Sequence, residues 1–417
     1  MRIRNPLAGL PREVSILVVI AFLVALGFGI VAPAIPLFAR QFGVSYFAVG
    51  AVISAFAFMR FVSALGAGAI VDRLGERIVL TAGVWIVAVS SALAGLAQTY
   101  EQLLLLRGIG GVGSAMFTVS ALGLLLRSAG EDQRGRAAGV FQGGFLLGGI
   151  SGPALGGLIG AYSVRATFFI YAGMLIIAGI FAITALRTST TAQRPAGGTP
   201  NKAERGLAPL FVALRNRSFV TAMVINLGNG FASFGLRASL VPLFVVEALL
   251  KGPFLAGIGF FVAAGVQAIL LIPAGRLSDE RGRKPALVCG TGAVTIGMLM
   301  LGASTTPAVF LLGMALLGVG SAFMGSAPAA VVGDVSPTRG GTVVAAFQMA
   351  SDFGAITGPL IAGWLVSRAG YPIAFSAGAA VAAIGFLLAI SMKETHKSAR
   401  KHGAPIPARD DSAGEIT

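Results

Sequence analysis

Two ionisable side chains lie deep inside apolar stretches of this chain, where a charge has few ways to be stabilised. Asp352 is about 16 Å from the start of its stretch and Arg60 about 18 Å from the end of its own, at 1.5 Å per helical residue. Charges at membrane depth are costly and pair with one another, and a carboxylate that loses its partner can take up a proton. We therefore predict that Arg60 and Asp352 meet and serve proton coupling or gating. A permanent ion pair that only fixes two helices is the alternative.

Arg107 is a third embedded charge. An arginine inside a membrane helix costs about 2.5 to 3.5 kcal/mol on insertion scales, so it needs a partner or a function. A structural arginine bonded to helix carbonyls is one explanation, and a functional role is the other. Arg237 lies toward a helix end, where snorkelling is a sufficient explanation. With three embedded cations and one embedded anion, Asp352, the interior favours a neutral, zwitterionic or anionic bound molecule.

The elements that carry these side chains are membrane helices. Of the 417 residues, 56% are hydrophobic and 11% are charged, and the mean hydropathy is +0.86. Apolar runs of about 20 residues recur, and each must satisfy its backbone internally as a helix because lipid offers no hydrogen-bond partners. We predict twelve helices, near residues 13–38, 46–71, 79–99, 102–126, 137–161, 166–186, 218–245, 253–276, 286–304, 307–332, 342–366 and 371–391. Pro33 and Pro36 predict a break in the first of them.

The chain also contains an internal repeat. Residues 68–77 match residues 275–284 at an offset of 207, and shorter matches such as Pro36 with Pro242 recur at 206 or 207. The predicted fold class is therefore an all-α polytopic membrane protein, with 12 transmembrane helices in two pseudo-symmetric six-helix bundles around a shared site. We predict an N-terminal segment 1–12, a first bundle 13–186, a linker 187–217, a second bundle 218–392 and a disordered tail 393–417.

Positive charge is concentrated on one side of the predicted helices. The formal net charge is +15, and only four of the 31 Lys and Arg residues fall on the side away from both termini: Arg40, Arg165, Lys251 and Arg368. The positive-inside rule makes both termini cytoplasmic, in a plasma or bacterial inner membrane. The same distribution argues against nucleic acid as a partner. We expect a monomer whose partners are the lipid bilayer, a small-molecule substrate and protons.

The repeated stretches are short, charged turns between helices. The first copy holds Gly68, Asp72, Arg73, Gly75 and Arg77, and the second holds Asp279 and Arg283. These turns resemble the cytoplasmic loop motif of the major facilitator superfamily, and the chain resembles the 12-helix drug:proton antiporters of that superfamily from residue 13 to residue 392. Glu280 departs from the pattern, because it stands where the family has a basic residue.

The resemblance implies that these turns form a conformational latch, a contact that holds the two halves together in one state. Their arginines can pair with acids such as Glu131, Asp132 or Asp334. The alternative is that the turns only anchor loops and set topology. Arg107, followed by a glycine-rich run, resembles the family arginine that is linked to proton transfer. Unlike many proton-coupled drug exporters of the family, this chain has no acid in residues 14–38, which weakens the case for proton coupling.

The fifth predicted helix carries Gly148, Gly152, Pro153, Gly156 and Gly157, and these residues match the superfamily's antiporter motif. Glycines four residues apart allow a neighbouring helix to approach closely, and a proline removes one backbone hydrogen bond and bends the helix. A bent, tightly packed helix between the halves would seal against leaks. The resemblance implies efflux by exchange, and generic small-residue packing is the alternative.

Polar and aromatic side chains inside the helices are candidates for cargo contacts. Buried amides need hydrogen-bond partners, so we expect the amides among them to face the protein interior. Packing or lipid-facing roles are equally open for the aromatic ones. The predicted substrate-binding residues are Gln142, Asn226, Asn229, Gln348, Phe56, Phe145 and Phe231.

Other functional classes fit the sequence poorly. Both histidines, His396 and His402, lie in the tail, so we expect no enzyme, no metal site and no cofactor. A channel would favour rings of like groups along a continuous pore, whereas a duplicated bundle favours alternating access. The sequence therefore predicts a secondary transporter that exports a small amphipathic compound, drug-like or a metabolite, in exchange for protons. A facilitator or importer of a neutral or anionic metabolite, such as a sugar or organic acid, stays open as the alternative.

Overall fold

The computed structural model describes residues 10–129, 133–186, 208–335 and 341–395, and over these ranges the chain folds into helices without strands. The first half contains α1 (Arg12–Arg40), α2 (Tyr46–Leu74), α3 (Glu76–Leu96), α4 (Tyr100–Ser128), α5 (Arg134–Tyr162) and α6 (Val164–Ala185). The second half contains α7 (Arg217–Ala248), α8 (Pro253–Glu280), α9 (Arg283–Ala303), α10 (Pro307–Val335), α11 (341–369) and α12 (371–391). The predicted fold class is confirmed.

Two helices are interrupted within the membrane. α1 consists of Arg12–Val31 and Ala34–Arg40, so the predicted break is present immediately before Pro33. α7 contains two π-helical turns, Gly230–Leu236 and Phe244–Ala248. Such turns insert one extra residue per turn and are frequent at functional sites. α1 and α7, the two interrupted helices, are each the first helix of their half.

Gly370 divides the last 51 helical residues into α11 and α12. Its φ of 80° is accessible to glycine and strained for other residues, and it reverses the chain. Tyr371, at the start of α12, hydrogen-bonds Glu247, whereas Glu394, just beyond its end, accepts a bond from the Arg283 backbone. α12 therefore crosses the whole bundle.

The two ends of the bundle are distinct surfaces. The motif face carries the turns at Gly75 and Gly282, both with positive φ, which explains the glycines of the repeated motif. The Glu247 face is the opposite end, where α1 and α7 finish. α1 begins and α12 ends on the motif face, as an even number of crossings requires.

Glycines bring α5 into contact with helices of both halves. A Cβ added at Gly148 would lie 2.5 Å from the Phe22 carbonyl oxygen of α1, and one at Gly157 would lie 2.7 Å from the Gly257 Cα of α8. At Gly152 and Gly156 an added Cβ would likewise overlap the α1 backbone, and the Pro153 carbonyl packs on Gly257. α11 repeats the arrangement, with Gly354 and Gly358 against α7 and Gly363 against α2. The expected close packing is present at every glycine of the motif.

Some predicted segments fall outside the described residues. These include residues 1–9, most of the predicted linker (187–207) and most of the predicted tail (396–417), together with Glu131, Asp132, His396 and His402. A short helix, Ala208–Leu214, occupies the end of the predicted linker, and α7 follows from Arg217. The domain limits otherwise stay predictions.

Candidate transport site and gates

Arg60 and Asp352 meet across the seam between the two halves. The Arg60 Nη2 atom of α2 lies 2.7 Å from the Asp352 Oδ1 atom of α11, as their matched depths led us to expect. The side chains remain 40% and 30% exposed, so water can reach the pair. One turn or more toward the Glu247 face, the Ser54 hydroxyl donates to the Ile356 carbonyl at 2.6 Å. The pair therefore bridges the halves at mid-depth and is partly accessible to solvent.

Arg107 lies beside a group of aromatic rings inside the first half. Its guanidinium carbon is 4.3 Å from the centroid of the Phe56 ring, and Phe28 stacks on the same ring at 6.2 Å. Tyr171 of α6 contacts Phe28 edge-on at 6.3 Å. Arg107 is 4% exposed, and its Nε has no hydrogen-bond partner. Within the described residues, Arg107 forms no hydrogen bond to a helix carbonyl, which was the alternative role considered for it.

Arg237 has similar surroundings in the second half. Its guanidinium carbon is 5.9 Å from the centroid of the Phe260 ring, and its Nε is buried without a hydrogen-bond partner. Each half thus places an arginine whose Nε is buried and unpaired against an aromatic ring. This arrangement gives the interior a positive character that the Arg60–Asp352 pair does not neutralise.

A cluster around Glu247 closes the opposite end of the bundle. Arg40 Nε lies 3.0 Å from Glu247 Oε1, while the hydroxyls of Tyr46 and Tyr371 donate to Oε2 at 2.5 and 2.6 Å. Arg40 also stacks over the Tyr46 ring at 4.4 Å and donates to the Val44 carbonyl. Because α1 and α2 belong to one half and α7 and α12 to the other, the cluster ties the halves together.

The sequence interpretation missed this cluster, although one signal pointed to it. Arg40 and Glu247 are 207 residues apart, which is the offset of the internal repeat. They are equivalent positions of opposite charge, and equivalent helix ends meet where the two halves face each other. Glu247 escaped notice because the predicted seventh helix ended at residue 245.

The charged turns of the motif face bond within their own halves. Arg283 contacts Asp279 at 2.5 Å and Asp334 at 3.1 Å, the latter a partner that the sequence suggested. In the first half, Arg127 pairs with buried Glu76, and Arg77 donates to the Ile183 carbonyl at 3.3 Å. Asp72 and Arg73 are exposed. A latch between the halves is therefore not formed by these residues in this conformation.

Contact between the halves becomes looser toward the motif face. On the Glu247 side, a Cβ added at Gly50 of α2 would lie 2.7 Å from the Pro359 carbonyl carbon of α11. Farther along α2, an added Cβ at Gly66 or Gly68 would meet no atom within 4 Å. The structure is therefore closed at the Glu247 face and loosely joined beyond the Arg60–Asp352 pair.

The predicted cargo residues differ in how far they are buried. Asn226 and Phe231 are 7% and 5% exposed and pack between α7 and α11, where the Asn226 amide donates to the Phe347 carbonyl at 2.7 Å. Asn229 accepts a hydrogen bond from Ser233 within α7. Gln142 and Gln348 are exposed, and their place in the cargo site stays a prediction. Phe56 and Phe145 are half-buried, and Phe145 packs on Phe141 at 5.6 Å.

Comparison with known proteins agrees with this architecture. A family model described as Major Facilitator Superfamily matches residues 17–266 and 222–412. The chain belongs to the major facilitator superfamily. It is therefore a multi-pass membrane protein of a family of small-molecule transporters, as the resemblance of its motifs implied.

Individual relatives of this superfamily member are distant. The chain is 24% identical to an uncharacterized MFS-type transporter of Methanocaldococcus jannaschii over 365 residues, 87% of this chain and 93% of the relative. It is 29% identical to multidrug resistance protein 1 of Bacillus subtilis over 233 residues, 55% of this chain and only 58% of the relative. The crystal structure of the nucleoside transporter NupG superposes with a TM-score of 0.70 at 16% identity, covering 91% of this chain and 100% of that one. This structural likeness concerns the fold alone.

Proposed function

We propose that this transporter exports a small amphipathic compound in exchange for protons by alternating access. The observation that carries the proposal is the Arg60–Asp352 pair, which joins the halves at mid-depth with both side chains partly exposed. The glycine motif of α5 and the partial similarity to multidrug resistance protein 1 support export. In this proposal the motif face is cytoplasmic, as the positive-inside rule indicates.

The proton step follows from the chemistry of the pair. Ionised Asp352 attracts Arg60 and holds α11 against α2, whereas a neutral carboxylic acid loses that attraction. Proton uptake from the outer side would thus weaken one arrangement of the seam, and proton release to the cytoplasm would restore the pair. Cargo that binds only when the proton is absent then moves in the direction opposite to the proton, out of the cell.

Closure of the Glu247 face fits the same cycle. The described conformation joins the halves at the outer end through Arg40 and Glu247 and leaves the motif face loosely joined. It is the state that would accept cargo from the cytoplasm. The turns at Gly75 and Gly282 would engage as a latch in the alternate state, when the outer end opens.

Reconstitution into liposomes tests this function. Vesicles with an acidic lumen receive 2-naphthoate, 2-naphthamide or 2-naphthylmethylammonium, and uptake is followed with the pH gradient present and after it is collapsed. We expect gradient-dependent uptake of at least one probe by the native protein and its loss in Asp352→Asn. Glu101→Gln, an exposed acid at the start of α4, is the matched control and should transport normally.

Three results would contradict the proposal. Native protein that moves no probe in response to the gradient would remove proton exchange as the function. Equilibration of a probe down its own gradient, at a rate indifferent to pH, would favour the facilitator alternative instead. Full gradient-driven uptake by Asp352→Asn would assign the proton to another group.

A further inference from the structure

Arg107 is a buried cation without a counter-charge in the described part of the chain. None of the ion pairs found among these residues includes Arg107. Arg107 is 4% exposed, and its Nε has no hydrogen-bond partner. A buried charge is costly unless it is paired, and a guanidinium provides several donors in a plane that match a carboxylate. The side chain therefore has the properties of an anion-binding group.

The packing around Arg107 keeps the guanidinium in place. Gly110 and Gly111 of α4 lie directly against α2, where an added Cβ at Gly111 would lie 3.1 Å from the Arg60 backbone nitrogen. This close approach sets the guanidinium over the Phe56 ring at 4.3 Å, which is a cation–π distance. The stacking stabilises the cation but supplies no acceptor for its N–H groups.

An exposed aromatic ring lies against the ring on which the cation stacks. Phe28 of α1 stacks on Phe56 with an interplanar angle of 28° and is 40% exposed. One face of this aromatic pair supports Arg107, and the Phe28 ring is accessible to a planar partner. Aromatic pairs stack with an offset and add to the free energy of burial. The combination suits a molecule that joins a flat ring to a single negative group.

We propose that Arg107 binds the carboxylate of an aromatic monocarboxylate cargo whose ring packs on Phe28. The proposal rests on the exporter function above and names its substrate class. A bidentate guanidinium–carboxylate contact would satisfy the unpaired donors, and Phe56 would hold the guanidinium from behind. Arg237, whose buried Nε also has no hydrogen-bond partner among the described residues, disfavours cationic cargo.

Export of an anion also has an energetic consequence. An inside-negative potential drives one negative charge outward with about 2.3 kcal/mol per 100 mV. Proton entry during the same exchange moves positive charge in the favourable direction as well. Both movements would therefore draw on the membrane potential.

A binding comparison tests the site without any gradient. Calorimetry on detergent-purified full-length protein measures 2-naphthoate, 2-naphthamide and 2-naphthylmethylammonium, which share one ring system and differ in charge. We expect native protein to bind 2-naphthoate at least tenfold more tightly than 2-naphthamide. Arg107→Gln should bring that ratio close to one while 2-naphthamide affinity is retained, and Arg107→Lys should keep part of the preference.

The controls separate recognition from folding. Arg165→Gln removes another arginine that lies over a ring, Phe38 at 5.2 Å, and donates to the Ala97 carbonyl at the Glu247 end of the bundle. The ratio of its 2-naphthoate to 2-naphthamide affinity should stay native. If Arg107→Gln does not fold, Phe28→Ala provides the test, because Phe28 is partly exposed and its loss should weaken 2-naphthoate binding tenfold.

Several outcomes would overturn the proposal. These are equal affinity for the acid and the amide, no binding of 2-naphthoate, a native ratio in folded Arg107→Gln, or unchanged binding in Phe28→Ala. Failure of the site is distinguishable from failure of the exporter function. Gradient-driven uptake of 2-naphthamide but not of 2-naphthoate would refute the carboxylate site and support proton exchange. Tight binding of 2-naphthoate without gradient-driven uptake would support the carboxylate site and refute proton exchange.

Discussion

The two ends of the bundle are stabilised in different ways. At the Glu247 face, Arg40 and Tyr46 of the first half bond to Glu247 of the second. At the motif face, Arg283 bonds to Asp279 and Asp334, all within the second half. The closed face is held by bonds between the halves, whereas the charged side chains at the loosely joined face bond within their own half. Substitutions at the two ends should therefore act on different equilibria.

Glu247→Gln should have the largest effect. The substitution removes the ion pair to Arg40, and an amide accepts hydrogen bonds from the two tyrosine hydroxyls less well than a carboxylate does. A hydrogen bond to a charged group contributes about 1.5 to 3 kcal/mol, enough for a more than tenfold shift toward a state open at this face. Modification rates of a cysteine placed at Ala48, with and without Glu247→Gln, report the shift. Equal rates would show that the cluster does not hold the face closed.

Gly148→Ala should have the next largest effect, on stability rather than on conformation. Its Cβ would lie 2.5 Å from the Phe22 carbonyl oxygen of α1, so the two helices must separate. Overpacking of this kind costs about 1 to 3 kcal/mol and lowers the thermal unfolding temperature. Gly149→Ala is the matched control, because an added Cβ there meets no atom within 4 Å. Identical melting of the two variants would refute the assigned packing.

Arg283→Gln should have a smaller effect, confined to the second half. It removes the bonds to Asp279 and Asp334 at a side chain that is 12% exposed. We expect a loss of about 1 kcal/mol in the free energy of unfolding, with little change in access to the Glu247 face. Arg73→Gln, at an exposed residue of the first copy of the motif, serves as the comparison. Greater exposure of the Glu247 face in Arg283→Gln would mean that the two ends are coupled through this turn.

Tyr371→Phe should have the smallest effect. It removes one hydroxyl that donates to Glu247 at 2.6 Å and leaves the Arg40 and Tyr46 bonds in place. Because Arg40 and Tyr46 still hold the Glu247 carboxylate, the shift measured with the Ala48 cysteine should be in the direction of Glu247→Gln but smaller. A shift as large as that of Glu247→Gln would place the main contribution in the tyrosine rather than in the ion pair.

Much of the fold follows from local rules, which is why the sequence predicts it. Apolar length determines the twelve helices, and Pro33 explains the break in α1. The contact between Arg60 and Asp352 was predictable because depth along a helix can be counted from the chain. Their role in proton coupling stays a prediction.

The rest depends on which helices adjoin, and the sequence does not specify that directly. The Glu247 cluster draws side chains from four helices, and its acid lies at a helix end where exposure was the simpler expectation. Asn226 satisfies its amide on the backbone of α11. Side-chain orientation around the helix axis likewise decides that Gln142 is exposed whereas Phe231 is buried.

Paired distance measurements by electron paramagnetic resonance test the central claim, alternating access, most directly. In a Cys289→Ser background, which removes the exposed native cysteine, spin labels at Gln41 and Lys251 report the Glu247 face and labels at Leu74 and Val344 report the motif face. The account predicts that protonation, or Asp352→Asn, lengthens one distance while it shortens the other. Two distances that change in the same direction, or that do not respond to pH, would contradict it.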